Sequence, residues 1–274
     1  MDIKAYKMDG LGNDFVIIDQ RIKNIEFSKE QIIKICDRNF IGCDQLIIIK
    51  KNRELDAGLE FYNSDGSGSG ACGNGTRCVA YLLSKENNNK EITVWTASGI
   101  IKTNILKDNL VESRIGVAKI KWNEIPINEN KNTKNLGIKI LDENNNEHIG
   151  GTAINVGNPH VIFFVENIDN FNIQKIGPSI ENNKLFPEKC NVTIAEVINQ
   201  NLIKVKVWER GAGQTKACGT AACATAVAGN INGFTKARTD IEFELGKLSI
   251  FLDEKNNAHM KGPVSEIKEI DIKL

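Results

Sequence analysis

The sequence carries no excess of either charge. Lysine plus arginine number 35 and aspartate plus glutamate number 35, so no net field draws the chain to nucleic acid or to an anionic membrane surface. It has no apolar run of about eighteen residues or more, and Met1-Asp2-Ile3-Lys4-Ala5-Tyr6 is not a charged segment leading into an apolar one. The expectation is a cytoplasmic protein that works on a small molecule. No C-x-x-C occurs among the seven cysteines, and His148, His160 and His259, the only histidines, stand apart from them, so no metal site is expected. An odd cysteine count in a long chain without a secretory signal also argues against structural disulfides. Cys36, Cys43, Cys78, Cys190 and Cys223 read as core thiols.

The chain is rich in glycine and asparagine, concentrated in particular places. Asn63 to Arg77 reads Asn-Ser-Asp-Gly-Ser-Gly-Ser-Gly-Ala-Cys-Gly-Asn-Gly-Thr-Arg and joins a strand pattern to a helical one. Gly66, Gly68, Gly70, Gly73 and Gly75 leave this backbone free to take positive φ and let a ligand approach the main chain. Cys72 sits where loop becomes helix. A helix start offers unpaired N–H groups and the positive end of a dipole, which suit an anion and lower the pKa of a thiol.

Around that loop, apolar alternation predicts strands near 3–8, 14–19, 45–50, 58–63, 91–106 and 110–117, with a turn at Gly10-Leu11-Gly12-Asn13. Ser28 with Gln31 makes a capping box for a helix over about 29–39, and a second helix runs from about Gly73 to Ser84. The order then repeats. Asn158 in Gly157-Asn158-Pro159-His160 lies 145 residues after Asn13, and Asn191 lies 146 after Gln45. Glu209 follows Asn63 by the same 146, as Cys218 in Ala-Cys-Gly-Thr-Ala follows Cys72 in Ala-Cys-Gly-Asn-Gly. Four matches in register indicate two copies of one plan. Their halves are placed at 1–117 and 118–262, with a C-terminal strand, 263–274, returning to the first. The second helix, Gly219 to about Asn230, is crowded with Ala221, Ala222, Ala224, Ala226 and Ala228, as a helix closely surrounded by sheet would be.

Three chemistries compete for the loop. Gly68-Ser69-Gly70-Ala71-Cys72-Gly73 satisfies G-x-G-x-x-G, but the second copy has no third glycine, and Thr76-Arg77 stands where a P-loop needs Lys-Ser/Thr. A single cysteine nucleophile with His160 as base would leave Cys218 unexplained. A pair of thiols uses both copies: inverting a carbon centre takes a base on one face and an acid on the other, and a thiol can be either. Helix-start amides would then stabilise the developing carbanion through its carboxylate.

These residues together resemble the diaminopimelate epimerase family over nearly the whole chain. The resemblance rests on Gly10-Leu11-Gly12-Asn13-Asp14-Phe15, Asn63 to Arg77, Gly157-Asn158-Pro159-His160 and Glu209 to Thr220. It implies an α+β fold of two similar domains related by a pseudo-twofold, each a central helix wrapped by a mostly antiparallel sheet or barrel. It implies a cofactor-independent isomerase that interconverts L,L- and meso-diaminopimelate on the route to lysine and peptidoglycan. Carried over by position, Cys72 and Cys218 are the acid/base pair, and Gly73, Asn74, Gly219 and Thr220 are donors to the reacting carboxylate. Asn13, Gln45, Asn63, Asn158, Asn191, Glu209 and Arg210 hold the substrate, with Arg210 on its distal carboxylate, and His160 and Glu209 poise the thiols. A homodimer is the implied assembly. Two departures stand out: Ala221 where a glycine is usual, and Cys43 where alanine is common. The rivals are a proline racemase-like enzyme, which lacks the Cys-Gly-Asn-Gly loop and the Glu-Arg pair, and a non-catalytic amino-acid-binding protein, which needs neither thiol.

Overall fold

A computed structural model of the chain describes residues 2–70, 72–107 and 109–274. Ala71, part of the repeated Ala-Cys-Gly motif, lies outside the described residues. In chain order the elements are β1 (Asp2–Gly10), β2 (Asn13–Asp19), α1 (Lys29–Cys36), β3 (Gln45–Lys50), β4 (Ala57–Asn63), β5 (Gly68–Ser69), α2 (Gly73–Asn87), β6 (Glu91–Thr96), β7 (Gly99–Lys107) and β8 (Leu110–Val117). They continue with β9 (Ile138–Leu141), β10 (Glu147–Gly150), β11 (Thr152–Asn155), β12 (Pro159–Val165), α3 (Ile173–Glu181), β13 (Asn191–Asn199), β14 (Leu202–Glu209) and β15 (Gly213–Thr215). The last are α4 (Gly219–Ile231), β16 (Arg238–Phe243), β17 (Gly246–Leu252), β18 (Asn257–Pro263) and β19 (Lys268–Lys273). The chain forms two compact units, Met1–Arg114 with Lys261–Leu274, and Ile115–Met260.

In the first unit β1 pairs antiparallel with β19 and, through the turn at Leu11-Gly12, with β2. Leu11 and Gly12 take φ of 57° and 78°, the two left-handed residues that a tight hairpin turn requires. β2 runs parallel to β3, β3 antiparallel to β4, and β4 antiparallel to β5 but parallel to β6. β6, β7 and β8 complete the meander. β2 and β3 are apolar without alternation because both faces are covered. Phe15, Ile17, Ile47 and Ile49 join the core around α2, whereas Val16, Ile18, Leu46 and Ile48 pack with Ile32, Ile35 and Cys36 of α1. The capping box of α1 forms as predicted, Gln31 N–H donating to Ser28 Oγ and Ser28 N–H to Gln31 Oε1. That helix stops at Cys36 and not near 39, because Asp37 turns extended and accepts the Asn39 N–H on its own carboxylate. α2 is buried along most of its length and touches β1, β2, β6 and β7.

The second unit repeats this topology. β11–β12 are antiparallel, β12–β13 parallel, β13–β14 and β14–β15 antiparallel, β14–β16 parallel and β16–β17 antiparallel. The register repeats too: Tyr62 opposite Gly68 is matched by Trp208 opposite Gln214. The alanine-rich α4 is enclosed as expected, touching β11, β12, β13, β16 and β17, and Ala221, Ala222, Ala224, Ala226 and Ala228 are at most 2% exposed. The fold is thus α+β, two similar units each wrapping mostly antiparallel strands around a central helix. The β9–β10 hairpin is an addition of the second unit.

Candidate active site

Strand register gathers the predicted residues of each unit at the start of its central helix. In the first unit, β2 begins at Asn13, β3 begins at Gln45 and β4 ends at Asn63, and one row of the sheet runs Phe15, Gln45, Asn63. Cys72 is the N-cap of α2, with φ −139° and ψ 114°, and its sulfur accepts the Gly75 N–H at 3.4 Å. Asn13 lies beside it: Oδ1 is 3.8 Å from Cys72 Sγ and accepts Asn74 Nδ2 at 3.2 Å. Asn13 Nδ2 donates to Asp44 Oδ2 at 2.8 Å. Gln45 Nε2 donates to Asn63 Oδ1 at 2.8 Å, and Asn63 Nδ2 donates to Ser67 Oγ. Gly73 and Asn74 open α2, so their N–H groups lie in the helix's first turn, at the positive end of its dipole.

In the second unit Asn158 precedes β12, Asn191 begins β13 beside His160, and Glu209 ends β14, followed by Arg210. Cys218 is the N-cap of α4, with φ −134° and ψ 117°, and accepts the Ala221 N–H at 3.4 Å. The two cysteines therefore share one backbone geometry and one sulfur–amide contact. Gly219 and Thr220 open α4, and Thr220 Oγ1 lies 3.4 Å from Cys218 Sγ. Asn191 donates through Nδ2 to Pro159 O and accepts the Arg210 N–H on Oδ1 at 3.0 Å, which fixes where Arg210 leaves the sheet. Arg210 itself is exposed, and its Nη1 donates to Glu188 O.

The electrostatics differ from the sequence expectation in one respect. A helix N-terminus should lower a thiol's pKa, yet Cys218 titrates well above the usual thiol range, first because it is buried and then because Glu209 is negative nearby. The Thr220 hydroxyl and the Ala221 N–H pull the other way and do not prevail. His160 is wholly buried and its pKa falls to about 3, through burial first and the Arg210 charge second, so it is neutral near pH 7. Its Nε2 meets Asn158 Oδ1 at 2.9 Å.

The glycines also divide differently from the expectation of a uniformly permissive loop. Gly66 does take φ +79°, and a Cβ there would lie 2.6 Å from Lys29 Cγ. Gly75 serves packing: a Cβ would lie 2.6 Å from Ile47 Cδ1 and 3.3 Å from the rings of Phe15 and Phe61. At the corresponding place in α4 the chain has Ala221, and by strand register His160, Thr193 and Val207 stand at the positions of Phe15, Ile47 and Phe61.

Two supporting residues were missed in the sequence. Glu181, 6% exposed, accepts Trp208 Nε1–H at 2.7 Å and Gly211 N–H at 3.1 Å, and so pins the turn that carries Arg210. A glutamate on an amphipathic helix gives no hint of this. Arg77, fully buried on α2, donates through Nη2 to Asn74 Oδ1 at 2.9 Å; its only sequence signal was as a mismatch to a P-loop.

The sequence model of one protein family, described as diaminopimelate epimerase, matches residues 5–121 and 152–267. A curated diaminopimelate epimerase of Pelagibacter ubique is 69% identical over the whole of both chains. That of Acidiphilium cryptum is 38% identical, covering 96% of this chain and 94% of its own length. Among solved structures, a phenazine biosynthesis protein of Bacillus anthracis aligns over both full chains with TM-score 0.68 at 15% identity. A hydroxyproline epimerase of Agrobacterium vitis aligns over 98% of this chain and 91% of its own, with TM-score 0.67 at 11% identity. These distant structures share the fold. With both halves matched by one family and close relatives of full length, the chain belongs to the diaminopimelate epimerase family.

Proposed function

We propose that this protein is an isomerase that interconverts L,L- and meso-diaminopimelate without a cofactor, through two bases, Cys72 and Cys218. One sulfur, as thiolate, takes the α-proton from one face of the carbon. The electron pair left behind is delocalised into the adjacent carboxylate, whose charge is met by the N–H groups of Gly73 and Asn74 and of Gly219 and Thr220. The other sulfur, as thiol, gives its proton to the opposite face, so one proton leaves, one arrives and the configuration inverts. The observation that carries this reading is the twinned cysteine: two N-cap thiols with matching backbone angles, each taking one amide at 3.4 Å.

Asn13, Gln45, Asn63, Asn158, Asn191 and Glu209 hold the amino acid end and the chain of the substrate, and Arg210 forms a fork on the distal carboxylate. Burial and the negative Glu209 beside it keep Cys218 as a thiol, the form that gives up a proton. His160, being neutral, acts by holding Asn158. The protein works in the cytoplasm as a homodimer, which light scattering of the purified protein tests. Proton NMR of L,L-diaminopimelate in deuterated water tests the chemistry. Wild type is expected to produce the meso isomer, and Cys72→Ala and Cys218→Ala each to produce none. Epimerisation by either variant at more than about a hundredth of the wild-type rate would remove that thiol from its role.

A further inference from the structure

We propose that Cys36 and Cys43 form a redox site separate from Cys72 and Cys218, a dithiol that hydrogen peroxide oxidises to a reversible disulfide. Their sulfurs lie 3.4 Å apart, both side chains are buried, and the Cys43 S–H donates to Cys36 Sγ. The main chain already brings the two residues together. Cys36 ends α1, Gly42 takes φ +76°, and the chain folds back so that Gly42 N–H donates to Ile35 O and Cys43 N–H to Cys36 O, each at 3.1 Å. A disulfide holds its sulfurs about 2.05 Å apart, so a sulfur movement of about 1.4 Å separates the dithiol from the bridge.

The surroundings of the pair are not those of ordinary core thiols. Burial pushes the Cys78 and Cys190 thiols up. Cys36 is shifted down, first because Cys43 donates to it; the Lys7 and Arg38 charges act in the same direction, and burial opposes them. Cys43 is pushed up, first by that same bond and then by burial. One thiol is thus disposed to attack, and the other stays protonated beside it, ready to resolve the product. Residues 37–40, which join the two, are exposed, so opening of this surface turn admits the oxidant without opening the core.

The Cys36 thiolate attacks one oxygen of hydrogen peroxide, the O–O bond breaks, and the departing hydroxide takes up the proton that Cys36 released. This gives Cys36 sulfenic acid and one water. The Cys43 sulfur then attacks the Cys36 sulfur, the S–S bond forms as the S–O bond breaks, and the second hydroxide leaves with the Cys43 proton as water. Two electrons pass from the sulfurs to the peroxide. The bridge closes on the segment that supports Asn13: Arg38 forks Asp14, Nη1 to Oδ2 at 2.6 Å and Nη2 to Oδ1 at 2.8 Å, and meets Asp44 Oδ1 at 2.6 Å. Asp44 Oδ2 in turn accepts Asn13 Nδ2 at 2.8 Å.

The test reads the bond itself and needs no turnover. Reduced protein is treated with hydrogen peroxide, its remaining thiols are blocked with N-ethylmaleimide, and it is digested with trypsin without reductant. Cleavage after Arg38 puts the two cysteines on separate peptides, residues 35–38 and 39–50. The expected result is these two peptides joined, lighter than their sum by two hydrogens, at a dose that leaves the circular dichroism unchanged, and parted again by dithiothreitol. Cys43→Ala is expected to lose the joined peptide, with the Cys36 oxidation that remains trapped by dimedone as sulfenic acid. The proposal is overturned if Cys36 and Cys43 are recovered as free thiols at a dose that oxidises the half-buried Cys72, if they are oxidised separately without a link, or if they are linked only in protein that has lost its fold.

Discussion

Gly75→Ala separates a glycine kept for ligand approach from one kept for packing. An alanine inside a helix is worth about 1 kcal/mol over glycine, so on helix propensity alone the change stabilises. The new methyl, however, would lie 2.6 Å from Ile47 Cδ1, and Ile47 and Phe15 are 0% exposed and Phe61 2%. To reach an ordinary carbon–carbon separation of roughly 3.6 Å, Ile47 has to retreat by about 1 Å in a filled core, and overpacking of this kind costs about 1–3 kcal/mol. We expect a net loss of about 1 kcal/mol, or a melting temperature lower by about 2–5 °C, read by circular dichroism. Ile47→Val removes the clashing methyl. Alone it costs about 1 kcal/mol, but the double variant should lose less than the sum of the two singles. Stabilisation by Gly75→Ala, with no coupling to Ile47→Val, would refute the packing account.

Other expectations follow from the second unit. Arg210→Met should abolish turnover of diaminopimelate at micromolar to millimolar concentrations with the fold intact; near-normal activity removes Arg210 from the distal carboxylate. Glu181→Ala leaves the half-buried Trp208 Nε1–H and the Gly211 N–H without their acceptor, a loss of about 1–2 kcal/mol in urea unfolding, and should raise KM more than it lowers kcat because the Arg210 turn loosens. His160 binds its proton at about 3 in the folded chain against an ordinary value near 6.5 when unfolded, so the unfolded state gains the proton first. Stability is therefore lost as pH falls from about 6.5 towards 3, with a slope of up to about 1.4 kcal/mol per unit from this group. His160→Phe should flatten the difference between urea midpoints at pH 7 and pH 5, and an unchanged difference counts against a neutral buried His160.

The repeat at an offset of 146 is visible because both halves carry like residues at matching strand ends and helix starts, Cys72 and Cys218 among them. Strand ends at Gln45 and Asn63 were legible for the same reason. What the pattern hid were effects that depend on neighbours far away in sequence. Gly75 looks like any loop glycine until Ile47 is packed against it. The Cys218 thiol sits at a helix start, which argues for a low pKa, but burial and Glu209 outweigh that, and neither can be read from the cysteine's own surroundings in the chain. Arg77 and Glu181 resemble ordinary helix charges in the sequence, but both are buried, Arg77 bonded to Asn74 and Glu181 to the turn at Gly211.

The central claim is that two different sulfurs handle the departing and the arriving proton. Early in the conversion of L,L-diaminopimelate in deuterated water, the accepting sulfur keeps the substrate's proton while the donating sulfur delivers deuterium drawn from solvent. The account predicts that the first meso product carries deuterium at its inverted carbon, while unreacted L,L substrate still carries protium. Product that forms with the substrate's own proton retained at that carbon would contradict it.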